Sequence, residues 1–95
     1  MKSCYAVMKC HPNATDENDT EVKLEALTEN LHLAEQVIAN YYTQEFGEDG
    51  EQLVCLVYKN WSVREYHMRS HYKEVRGATF FRVWEQEIID DAALL

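Results

Sequence analysis

The sequence predicts an α+β fold: one small domain in the order β-α-β-(α or β)-β, with one sheet of three to four strands packed on one long helix. Two observations carry this reading. Between residues 18 and 46 apolar side chains recur every three or four positions, and on either side the chain divides into short β-compatible runs bounded by turn residues. With 95 residues, 46% hydrophobic and 12% aromatic, the chain is long enough for one core over 1–95 and too short for a second.

The first element is a strand over residues 3–11. Cys4, Ala6, Met8 and Cys10 point one way, Tyr5, Val7, Lys9 and His11 the other, and Pro12 ends it. Residues 12–19 read as a polar loop. The long helix, about 18–46, follows from Leu24, Leu27, Leu31, Ala34, Ile38 and Tyr41 on one stripe. Asn18 and Glu21 resemble a capping box, and Gly47 supplies a left-handed C-cap. Val22, Ala26, Leu33 and Val37 widen the apolar face, leaving a flank for another segment, a second copy or a partner to cover.

Gln52 to Lys59, with its uninterrupted Leu53–Tyr58 run, reads as a central strand buried on both faces; Asn60-Trp61 breaks it. Residues 62–76 fit either a helix or a strand. Ser62 with Glu65 and a C-cap at Gly77 tilt the balance toward helix, while Tyr66, Met68, Ser70 and Tyr72 would share one side of a strand. Residues 79–86 form the last strand, with Phe81 and Val83 opposite Phe80 and Trp84, and residues 87–95 an acidic tail.

The formal net charge is −8, unevenly spread. Residues 16–51 hold eleven acids against Lys23, a balance of −10, whereas residues 52–82 hold six Lys/Arg against Glu65 and Glu74, a balance of +4. Three cysteines at irregular spacing make no disulfide framework, and no apolar run approaches the length of a leader or a membrane span. The expectation is a cytoplasmic protein with no membrane contact.

Signals for chemistry are weak. His67 and His71 are four apart and would need Cys55, or Cys10 with His11, to complete a tetrahedral metal site, yet no Cys-x-x-Cys knuckle accompanies them. No spacing selects a Cys–His catalytic pair, and thiols in apolar strands are inert. No metal, no cofactor and no enzymatic activity are therefore expected.

Two charged groups carry functional readings. Asp16, Glu17, Asp19, Glu21, Glu25, Glu29 and Glu35 would line a rigid helical rod, where carboxylates can imitate a run of phosphates; a solvated helix face explains them equally well. The leading expectation is a non-enzymatic inhibitor of phage or plasmid type, by analogy of size and charge. It would occlude a basic surface of a nucleic-acid-processing protein, with Tyr41, Tyr42 and Trp61 as aromatic anchors. The alternative is a small nucleic-acid-binding or regulatory domain, possibly a homodimer, that uses Lys59, Arg64, Arg69, Lys73, Arg76 and Arg82 with the interleaved aromatics. The overall acidity opposes direct nucleic-acid binding, and an internal salt-bridged match between the basic and acidic segments would explain the same residues.

Overall fold

The structure, a computed structural model, describes residues 2–13, 16–69 and 79–88. The described elements are β1 (Lys2–Asn13), β2 (Asp16–Thr28), α1 (Leu31–Phe46), α2 (Gly50–Leu53), β3 (Val54–Lys59), β4 (Val63–Met68) and β5 (Phe80–Ile88). The strands form one antiparallel sheet in the order β2-β1-β5-β4-β3, and α1 packs on one of its faces. The fold is thus α+β, with five described strands where three to four were expected.

The long helix is the main correction. Only its second half is helical: α1 begins after Asn30, whose backbone is extended and whose side chain accepts from the Leu33 N–H at 2.9 Å. Residues 18–28 belong to β2, paired with β1 from Thr28 opposite Tyr5 to Asp16 opposite Asn13. The Glu21–Glu25 stretch alternates polar and apolar residues, so a partner strand wins over the helical period that Leu24 and Leu27 happen to share with α1. The helix end is as expected: Gly47 sits at φ 69° and its N–H donates to the Thr43 carbonyl at 2.8 Å.

The predicted faces of β1 hold. Tyr5 and Val7 face the helix, and the strand runs on through Pro12 to Asn13, which pairs with Asp16. In the core, Val7, Tyr66, Met68, Phe81 and Val83 of the sheet meet Ala34, Ile38 and Tyr42 of α1, with Leu53 alongside. The Phe81 ring meets Tyr41 and Tyr42 edge-on at 5.2 and 5.6 Å between centroids.

Two further expectations change. Residues 54–59 form an edge strand rather than a central one: Leu56, Val57 and Tyr58 are 45%, 54% and 52% exposed. Residues 63–68 are strand, not helix, because Tyr66 and Met68 alternate into the core. The Ser62–Glu65 pair caps nothing; Asn60 makes the turn instead, its side-chain oxygen accepting from the Ser62 and Val63 N–H groups at 2.9 and 2.8 Å. Phe81 and Val83 do face the helix, with Trp84 on the other side. The expectations for 70–76, Gly77 and the tail beyond Ile88 lie outside the described residues.

Candidate functional site

The register assigns every strand residue to one of two faces. On the face away from α1, cross-strand rows run Leu27–Ala6–Trp84–Val63, Leu24–Met8–Arg82–Glu65 and Val22–Cys10–Phe80. On this face Cys10, Phe80 and Val63 are buried. Val22, Leu24, Leu27 and Trp84 are 50%, 50%, 64% and 39% exposed. With Ala6 and Met8 between them they form a patch on the order of a few hundred Å², the size at which exposed apolar surface usually has a use.

The acids are not arrayed on a helical rod. Asp16, Glu17, Asp19, Glu21 and Glu25 belong to β2, Glu29 to the turn after it, and only Glu35 to α1. The pairing of β1 with β5 begins at Cys10 opposite Phe80, so residues 11–13 and 16–21 pair only with each other within the described sheet. Positions 16–21, four of them acidic, therefore occupy the far end of a two-stranded ribbon. Glu25 turns to the helix side and meets the Lys9 ammonium at 3.4 Å, which in turn lies 5.2 Å from the Tyr41 ring centre. Glu35 accepts a hydrogen bond from the Tyr66 hydroxyl at 2.8 Å.

Tyr42, expected as a partner anchor, is fully buried and donates its hydroxyl to the Thr79 carbonyl at 2.6 Å, which makes it core. Tyr41 is half-buried against Phe81. Trp61, in the β3–β4 turn, is 88% exposed. Its distance in the sheet order from β2 separates it from the acidic ribbon.

The basic residues are dispersed. Arg82 reaches Glu65 at 3.5 Å and stacks over Phe80, Arg64 sits on the helix side of β4, and the Arg69 guanidinium donates to the Gln52 carbonyl at 2.9 Å. Lys59 ends β3, while Lys73 and Arg76 lie outside the described residues. Within the 59–82 segment, His67 and Arg82 both pair with Glu65 of the same segment.

Cys55 and His67 do face each other across β3 and β4, but the His67 ring is engaged by Glu65 at 2.6 Å and stacks on Phe80 at 4.4 Å; His71 is outside the described residues. No group of three metal-ligating side chains occurs among the described residues. Burial raises the Cys10 thiol pKa, with Arg82 opposing and Glu65 reinforcing the shift. Tyr42 is raised by burial and then by Tyr41, and Tyr66 by burial and then by its hydrogen bond to Glu35. These shifts hold all three groups in their neutral forms.

What sequence reasoning missed is the strand character of residues 21–25, charged at alternate positions with Val22 and Leu24 between them. The signal was present in Glu21-Val22-Lys23-Leu24-Glu25 as a period of two. No protein-family model matches this chain, and no curated protein or solved structure is significantly similar to it.

Proposed function

We propose that this is a non-enzymatic protein-binding domain that uses β2 and the exposed apolar side chains on the sheet face beside it to occlude a basic surface on a nucleic-acid-handling partner. One observation carries the reading: an edge strand whose apolar residues, Val22, Leu24 and Leu27, stand half or more exposed, in a chain segment otherwise rich in Asp and Glu. Acids at the end of the ribbon steer a basic partner into contact, and the Val22–Leu24–Leu27–Trp84 patch supplies the apolar area that holds it. The neutral, buried state of Cys10, Tyr42 and Tyr66 supports binding rather than chemistry at those residues.

The test is capture of a partner from host lysate on the tagged protein after nuclease treatment, followed by elution with DNA or RNA. The expected result is a stoichiometric partner that nucleic acid displaces and that a Val22→Asn/Leu24→Asn/Leu27→Asn variant fails to retain. A partner retained by that variant and indifferent to nucleic acid overturns the reading. The basic-segment alternative predicts instead that the purified protein itself retains nucleic acid on a filter, and that Arg69→Ala weakens retention.

A further inference from the structure

We propose that the groove between α1 and the free edge of β3, at the opposite side of the sheet from β2, binds an extended basic peptide by strand addition. β3 ends the sheet and pairs only with β4. Its outward backbone groups can be assigned. The Arg69 N–H donates to the Leu53 carbonyl at 2.8 Å, and the register continues through Val54–Met68, Cys55–His67 and Leu56–Tyr66. Antiparallel pairs alternate between bonded and non-bonded, so Cys55–His67 is the next bonded pair. Val54 and Leu56 consequently turn their N–H and C=O groups toward the open edge.

Beside that edge lies a cavity of about 300 Å³, with Ile38, Ala39, Val54 and Leu56 among its lining and Glu35 and Glu51 contributed by the two helices. It lies between α1, which packs against β1, β2, β4 and β5, and the edge strand β3. Leu56 itself is 45% exposed. Edge strands that are meant to stay unpaired usually carry charge or proline; β3 carries neither before its last residue, Lys59. The bulge at Val57 breaks the ladder after Leu56 and confines regular addition to about three residues.

Charge selects the ligand. Among the described residues neither Glu35 nor Glu51 has an ion-pair partner, and Glu35 is held in place by the Tyr66 hydroxyl at 2.8 Å. A peptide strand pairing with Val54 and Leu56 alternates its side chains, one set toward the apolar lining, and a Lys or Arg next to that set reaches the carboxylates. The ligand class is thus an extended peptide with Lys or Arg flanking an apolar residue.

The experiment is selection of a random heptapeptide display library on the full chain, followed by calorimetry with the selected peptides. The expected consensus is basic and apolar, and N-methylation of alternate peptide amides in one frame should weaken binding tenfold or more while the other frame is tolerated. Leu56→Pro removes an outward N–H without touching the bonds to β4, and should abolish binding with the circular dichroism spectrum retained. Glu35→Gln with Glu51→Gln, in which the amide still accepts from Tyr66, should weaken it several-fold; Asp16→Asn with Asp19→Asn should leave it unchanged. Acidic consensus peptides, no binders, or binders indifferent to N-methylation in both frames overturn the proposal. If Leu56→Pro fails to fold, the N-methyl series decides alone. A concentration-dependent dimer abolished by Leu56→Pro would assign the edge to a second copy and equally overturn it.

Discussion

Gly50 is where the packing of the two helices can be tested by a single methyl group. A Cβ built there falls 1.8 Å from the Ala39 carbonyl oxygen and 2.6 Å from its carbon. Reaching ordinary contact near 3.4 Å requires α2 to move off α1 by about 1.6 Å. That movement also strains the bond from the Gly50 N–H to the Thr43 hydroxyl at 2.9 Å, which itself donates to the Ala39 carbonyl at 3.0 Å. Overpacking of this kind costs about 1–3 kcal/mol, and the lost hydrogen bond about 1 more. Gly50 does not have positive φ, so without the close approach Gly50→Ala would stabilise the fold by about 0.4–1 kcal/mol through the unfolded chain. The sign of the effect is therefore decided by geometry. We expect a net loss of about 2–3 kcal/mol, a drop in Tm of roughly 10–20 °C for a domain of this size, read by calorimetry. Thr43→Val should lower Tm less, and the double variant should be less than additive because both changes break one relay. An unchanged or raised Tm for Gly50→Ala would refute the packing of α2 on α1.

Other consequences are independent of that contact. Tyr42→Phe removes the 2.6 Å bond to the Thr79 carbonyl and should lower stability by about 1–2 kcal/mol in urea melts; an unchanged midpoint would contradict the buried bond. Tyr42 and Tyr66 have folded pKa values raised above the unfolded value of 10.0, so the unfolded chain ionises first. Stability is then fully present below pH 10 and should fall above it by up to about 1.4 kcal/mol per pH unit for each, with Tyr66→Phe removing one share of the slope. Iodoacetamide at neutral pH should alkylate the half-buried Cys4 and Cys55 well before Cys10, which is fully buried and raised in pKa; early modification of Cys10 in peptide maps would contradict its burial.

The parts of the fold legible in the sequence are those where one local rule acts alone. Gly47 ends α1 because the left-handed cap excludes most other residues, and Phe81 with Val83 face the helix because strand alternation fixes them. The start of α1 was hidden because no Gly or Pro interrupts the chain from 14 to 46, and because Leu24 and Leu27 fall in helical phase with Leu31. Asn18 and Asn30 are equally good caps by residue type; what separates them is the tertiary pairing of residues 16–28 with β1. The edge position of β3 was illegible for a related reason. An apolar run reports what could be buried, and the sheet order, which no local pattern encodes, decided that Leu56 and Val57 would not be. At the candidate site the acids were found by composition but assigned to a rod; five of them lie instead on the edge strand β2, which also exposes Val22, Leu24 and Leu27.

The most direct test of the protein-binding account is the association rate of the purified protein with its captured partner as a function of ionic strength. The wild type should be compared with the Asp16→Asn/Glu17→Gln/Asp19→Asn/Glu21→Gln ribbon variant. The account predicts a rate at low salt that falls about tenfold or more in the variant, a flatter salt dependence, and little change in dissociation. Identical association rates and salt slopes for the two proteins would contradict it.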